Sequence, residues 1–273
     1  MTTILEVRDV RKVYRKRGFA KNSMDVIAVD GVSFALEQGT TFGLVGESGC
    51  GKSSLSRLIM RLADVSEGQI VFNGQDITQA RGRALRETRR GMAMVFQNPY
   101  ASLNPRARVG ELVSGPLDIH GIGKPAERRE RVRFLLDAVG LPMASAEKFP
   151  HEFSGGQRQR IAIARALALN PKLIICDEAV SALDVSIQAQ ILNLLKDLQE
   201  TFNLTYLFIS HDLSVVEHIS DTIAVMRTGK IVEQGPADRV FKAPQNDYTR
   251  RLLDAIPKIG MIRHRMPSAE QNP

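Results

Sequence analysis

Residues 46 to 53 read Gly-Glu-Ser-Gly-Cys-Gly-Lys-Ser, and no other stretch constrains the fold of this chain as tightly. In the pattern G-x-x-x-x-G-K-[ST], backbone N–H groups of a glycine-rich loop, together with the N-terminus of the following helix, wrap around a phosphate. The flanks agree with that geometry. Thr40 to Val45 is a short run stopped by Gly46, and Ser53 to Leu62 carries a helical pattern. A strand that enters a helix through such a loop is a unit of an α/β fold. Within the loop, Gly46, Gly49 and Gly51 let the backbone approach an anion without a Cβ in the way. Lys52 supplies a point charge for β- and γ-phosphates, and the Ser53 hydroxyl is a ligand for Mg²⁺. Glu47, Ser48, Cys50 and Ser54 complete the expected phosphate-binding set.

A cation held by one hydroxyl needs a carboxylate opposite it, and the C-terminal end of a neighbouring apolar strand is the place for one. Leu173-Ile174-Ile175-Cys176 is a continuous apolar run, as in a central parallel strand covered on both faces, and it ends in Asp177-Glu178. Asp177 is therefore the expected metal ligand. Glu178, one residue on, can face the γ-phosphate, where an ionised carboxylate would orient and deprotonate an attacking water.

Composition narrows the class. With 43% hydrophobic and 25% charged residues in 273, the chain is an ordinary globular protein, which excludes disordered, collagen-like and disulfide-scaffold readings. Cys50 and Cys176 form no ligand pair, so a reducing compartment is expected. No secretory leader pattern opens the chain and no apolar run approaches the ~18 residues of a membrane span, so a cytoplasmic location is expected. The net charge of +7 is concentrated at Arg81 to Arg90, Arg128 to Arg133 and Arg263 to Arg265. Such clusters suit nucleic acid, anionic lipid or phosphate, and are read first as solvated helix faces. No aromatic block interleaves them and the chain has no Trp, so no nucleic-acid partner is expected.

Along the chain, Ile4 to Val10 alternates as a half-buried strand, and Val26 to Leu36 does so on either side of Asp30-Gly31, with a basic surface loop from Arg15 to Ser23 between them. From about residue 98 to 170, prolines at 99, 105, 116, 125, 142 and 150 punctuate helical patterns. One is Ala126 to Val139, with Val132, Leu135, Leu136 and Val139 on one face. A helix from Ile187 to Phe202, a strand from Leu204 to Ile209 and a hairpin around Thr228-Gly229 follow. The expected organisation is a β layer and phosphate-loop part over 1–97, a helical part over 98–170, the rest of the core over 171–256, and a polar tail over 257–273. There is no internal repeat and no low-complexity segment.

Ser154-Gly155-Gly156-Gln157, ahead of the helical run Arg158 to Leu169, puts a hydroxyl and two glycines at a helix N-terminus, which serves as a cap or as a second anion site. With it, a series of motifs stands in order: Gly46 to Ser53, Phe96-Gln97-Asn98-Pro99, Phe153 to Gln159, Ile174 to Glu178, Ser181 to Asp184 and Ser210-His211-Asp212. This order resembles that of ATP-binding cassette (ABC) ATPases, over about residues 4 to 256. Ser-Gly-Gly-Gln is diagnostic there, because other phosphate-loop families lack it.

The resemblance implies an α/β ABC-type fold with a mixed central sheet, an N-terminal antiparallel β layer and a helical subdomain. It implies that two subunits close head to tail on ATP and Mg²⁺, the phosphate loop of one facing Ser154, Gly155, Gly156, Gln157 and Asp184 of the other. Gln97 resembles the glutamine that reaches the metal and the attacking water, and His211 the histidine that contacts the γ-phosphate. Lys52, Gln97, Glu178 and His211 are thus the implied catalytic set. Tyr14 matches the aromatic that stacks on adenine, with Phe19 as the alternative. The implied partners are an identical or related cassette, an integral-membrane permease and, indirectly, an extracytoplasmic solute-binding protein. The implied location is the inner face of a bacterial plasma membrane, with coupling through Asn98 to Val113.

More finely, Gln97 to Pro105, Ser181 to Leu195 and His211 to His218 look like the second ATPase of dipeptide, oligopeptide and nickel importers. Di- or oligopeptide import is the expectation. Ala179 stands where most cassettes carry Pro, and that substitution, known among nickel-type members, leaves nickel or another small solute open. These residues include no cysteine-bearing C-terminal segment of the kind common in oligopeptide-type subunits, so no metal cluster is expected from them. A cassette acting without a permease and a nucleotide-binding regulator without turnover are the remaining alternatives. The first usually carries coiled-coil insertions or tandem cassettes, and the intact Lys52, Asp177, Glu178, His211 set argues against the second.

Overall fold

The computed structural model describes residues 2–15, 25–97 and 102–255. Strands β1 (Thr3–Tyr14), β2 (Val26–Glu37), β4 (Glu67–Phe72) and β5 (Gln75–Asp76) form an antiparallel sheet in the order β2-β1-β4-β5. A second sheet runs β10-β9-β3-β8-β7-β6, from β3 (Thr41–Val45), β6 (Met92–Phe96), β7 (Leu173–Asp177), β8 (Thr205–Ser210), β9 (Thr222–Arg227) and β10 (Lys230–Pro236). Its pairs are parallel except β9 with β10, so the sheet is mixed.

Alternation along the central strands explains the layers. Leu173 and Ile175 face one core with Phe42, Leu44, Leu207 and Ile209, which also holds the β1 and β2 side chains and helix α1 (Lys52–Ile59). Ile174 and Cys176 face the other, with Val45, Tyr206 and Phe208. Helix α2 (Gly82–Arg90) precedes β6, and helices α3 (Val109–His120), α4 (Pro125–Ala138), α5 (Gly155–Ala166), α6 (Val185–Phe202) and α7 (Leu213–Ile219) pack into that second core. The sheet buried on both faces is what the unbroken apolar run at 173–176 required.

Several local readings hold and a few shift. Val132, Leu135, Leu136 and Val139 are all buried. The hairpin turns on Thr228 (φ 44°) and Gly229 (φ 84°), the two positive φ values of a type I′ turn. β2 is continuous through Asp30-Gly31, because Gly31 takes φ 69° and absorbs the irregularity without breaking the strand. α1 ends at Ile59, earlier than the periodicity suggests, because Arg61 turns left-handed. Pro116 lies inside α3 and does not mark a boundary; burial of Val109, Val113 and Leu117 on one stripe offsets the missing hydrogen bond. Phe19 and the residues of the 15–23 loop from Lys16 on lie outside the described residues, as do Asn98 to Ala101 and the tail from residue 256. Among the described residues, no helix is long and apolar enough to cross a membrane.

Candidate active site

The loop between β3 and α1 is built by backbone contacts that exclude side chains. A Cβ at Gly46 would stand 2.1 Å from the Met226 carbonyl oxygen, and one at Gly51 2.1 Å from that of Ala28. Both glycines have positive φ (153° and 113°), so strand packing and backbone conformation both demand them. Gly49 (φ 81°) has no neighbour within 4 Å of a Cβ, so it needs glycine for conformation alone.

Lys52, only 4% exposed, folds back along the loop and donates from Nζ to the carbonyl oxygens of Gly46 (2.7 Å) and Glu47 (3.0 Å). Its ammonium is thereby fixed inside the concavity at the helix N-terminus. Burial pushes the Cys50 thiol up in spite of nearby Lys52, so this residue adds no negative charge to the loop.

At the end of β7 the Asp177 carboxylate is 8% exposed and accepts from Ser53 Oγ (3.2 Å) and from Ser56 Oγ (3.1 Å). Burial raises its pKa above the usual carboxylate range, opposed by these two hydroxyls and assisted by Glu178. The next residue, Glu178, has φ 52°. Its N–H donates to Ile209 O (2.9 Å), and its carbonyl accepts from Ser181 N (3.2 Å) and Ser181 Oγ (2.9 Å). These bonds hold the left-handed residue, and its carboxylate Oε1 stands 3.4 Å from Nδ1 of His211, just beyond β8. The β7–β8 pairing, Asp177 opposite Ile209, brings the two side chains together.

These groups border one cavity of about 610 Å³. Its wall includes Ser48, Gly49, Gly51 to Ser54, Gln97, Asp177 and Glu178, and also Val26, Ile27, Ala28, Arg57, Phe96 and Ser102. Gly46, Glu47, Cys50 and His211 are not part of the wall; Gly46 and Glu47 are tied to it through Lys52, and His211 through Glu178. Tyr14 is elsewhere: its ring lies 5.0 Å from Lys12 Nζ and lines a neighbouring cavity with Arg11 and Glu67. It pairs with Val26 across the β1–β2 ladder, and Val26 with Ile27 supplies the apolar wall beside the phosphate loop. Sequence reasoning missed that pair, and Ser56, which spacing could have shown because i and i+3 share a helix face.

None of Ser154 to Gln157 lines this cavity. Ser154 caps α5 in a reciprocal box, accepting from Gln157 N (3.3 Å) while its own N–H donates to Gln157 Oε1 (3.0 Å). Gly155 packs near Leu183, and a Cβ at Gly156 would be 2.6 Å from Ile187 Cγ2. The exposed Ser154 turn is thus set tightly against the start of α6, where Asp184 is the N-cap and also exposed.

The ABC transporter family model matches residues 29–181, more than half of the chain. The chain belongs to the ABC transporter family. Over 258 residues it is 55% identical to the oligopeptide transport ATP-binding protein AppF of Bacillus subtilis, covering 93% of this chain and 78% of AppF. It is 52% identical to the glutathione import ATP-binding protein GsiA of Salmonella paratyphi A, covering 96% of this chain but only 42% of GsiA. Among solved structures, a dimeric ATP-binding cassette in a post-hydrolysis state with ADP and Pi superposes with a TM-score of 0.76 at 30% identity, over 86% of this chain and 99% of that one. The ABC assignment accounts for the order of layers as well as for the motifs.

The donor set around Ser53 and Asp177 suits a hard divalent cation. Its side-chain donors are oxygens only, and the buried carboxylate carries a desolvation cost that a cation would offset.

Proposed function

We propose that this ABC protein is the ATP-binding and ATP-hydrolysing subunit of a peptide importer, working as a closed dimer of cassettes against a separate membrane permease. The observation that carries the reading is the shared cavity: an ammonium (Lys52), a hydroxyl–carboxylate pair (Ser53, Asp177) and the Glu178 carboxylate, itself paired with His211, converge on it, while the Ser154 turn is no part of its wall. The names of AppF and GsiA support peptides as the solute class. The dimeric neighbour supports the oligomer, a pair of identical or related cassettes at the inner face of the membrane.

In this reading, Lys52 and the loop amides bind the β- and γ-phosphates. Ser53, Asp177 and Gln97 would hold Mg²⁺, which supplies charge neutralisation at the phosphate oxygens. The Glu178 carboxylate accepts a proton from the water as its oxygen bonds to the γ-phosphorus and the bond to ADP breaks. His211 donates a hydrogen bond to the γ-phosphate and keeps Glu178 oriented. Ser154 to Gln157 and Asp184 of the second cassette complete the site. Val26 and Ile27, with Tyr14 beside them, provide the surface for the base.

Phosphate release by the purified protein tests the reading, together with peptide uptake in vesicles holding the permease. ATP-dependent release that Lys52→Ala abolishes, with uptake that requires the intact subunit, is the expected result. A protein that binds no ATP would sink the proposal.

A further inference from the structure

The phosphate loop is supported from behind by a residue far along the chain. The Glu47 N–H donates to the hydroxyl of Tyr248 at 3.4 Å. Tyr248 is 6% exposed and sits in the first turn of the helix Asp247–Asp254, whose cap Asn246 accepts from the Tyr248 N–H (2.9 Å). The Arg227 guanidinium lies 4.8 Å from the ring. The approach to this helix is itself anchored: the two Glu233 oxygens accept from Gln245 N (2.8 Å) and Asn246 N (3.1 Å), and Asn246 Nδ2 donates to Val232 O (3.3 Å).

The other supports of the loop come from nearby strands or from within it. Cys50 O accepts from Gly229 N, and Gly46 O and Glu47 O accept from Lys52. The Tyr248 contact is different in kind, since it brings the C-terminal segment to the first turn of the loop, next to the two carbonyls that hold Lys52. Ordering a loop before its anion arrives removes an entropic cost from binding. We propose that Tyr248 is a positioning residue for nucleotide binding: clamped by Glu233 through the 245–246 backbone, its hydroxyl holds the Glu47 amide and so keeps the loop and the Lys52 ammonium in their binding geometry.

This inference rests on the ATP reading above, and the test separates the two. Binding of ATP to the purified full chain is measured by calorimetry, with steady-state KM and kcat and hydrogen exchange over residues 46–50. Tyr248→Phe removes only the hydroxyl and should raise Kd and KM about two- to tenfold, the range for one lost hydrogen bond, with kcat at saturation unchanged and exchange at the loop faster. Glu233→Gln, which keeps an acceptor, should shift them less and in the same direction, and it serves if the first variant folds poorly. Val240→Ala, a buried site away from the loop, should lower the melting temperature without moving Kd. Wild-type protein that binds ATP while Tyr248→Phe leaves both Kd and loop exchange unchanged overturns the inference, as does an equal Kd shift in Val240→Ala. Wild-type protein that binds no ATP overturns the ATP reading itself, and this inference with it.

Discussion

Glu178 holds a left-handed backbone conformation that costs a side-chain-bearing residue about 1–3 kcal/mol. Three hydrogen bonds with Ile209 and Ser181 maintain it, and the result is a carboxylate 3.4 Å from the imidazole of His211, just past the end of the neighbouring strand. Glu178→Gln preserves the side chain's shape and removes its basicity. Phosphate release should fall about 10²- to 10⁴-fold while ATP affinity stays near wild type, checked by pairing a turnover assay with calorimetry; near-normal turnover would remove Glu178 as the base. Asp177 illustrates a different cost. Burial raises its folded pKa above the unfolded value, so the charged form destabilises the protein at neutral pH, and the penalty fades as pH falls through the raised folded value toward the unfolded one. Asp177→Asn should therefore melt at a higher temperature than wild type at pH 7 without nucleotide or metal, with the gap closing on acidification. The same variant should lose hydrolysis, the trade expected where a functional carboxylate is held out of water.

The element scale is where sequence reading succeeds and where it stops. β3, the loop and α1 were legible because the residues that define them are adjacent, and a glycine pattern carries its own backbone geometry. The three buried positions of α4 and its C-cap Val139 were legible from their spacing in the same way. Contacts between distant segments were not. Val26 and Ile27 enter the cavity wall because β2 begins beside the loop, Tyr14 lies outside that wall where it pairs with Val26, and Tyr248 reaches Glu47 across 201 positions. Nothing in local periodicity encodes those approaches. The α5–α6 junction is a third such contact, and it can be probed. Gly156→Ala places a methyl 2.6 Å from Ile187 Cγ2, so the helices must separate or Ile187 must leave its rotamer. A loss of about 1–3 kcal/mol is expected, measured by urea unfolding with an unchanged m value. Gly115→Ala, in α3 with nothing within 4 Å of its Cβ, should be neutral or stabilising by up to about 1 kcal/mol.

At the scale of the whole molecule, the cavity and the Ser154 turn are separate features of one chain. Lys52, Asp177 and Glu178 line the cavity, and the Ser154 turn, exposed at the start of α5, contributes nothing to its wall. If catalysis needs both, a two-fold dimer must supply the turn of each chain to the loop of the other. That arrangement predicts complementation between dead proteins. Lys52→Ala lacks a working loop, and Ser154→Arg places a bulky cation on a turn that should meet the partner's nucleotide; each alone should release almost no phosphate. In a dimer of one with the other, one composite site loses both halves and the second keeps both. Random pairing makes about half of the dimers mixed, each with one of two sites intact, so an equal mixture should recover roughly a quarter of wild-type turnover per chain. The recovered rate should also rise with total protein concentration until the dimer saturates. A mixture as inactive as its components would mean that no working site is assembled from two chains, and the closed-dimer reading would then have to be given up.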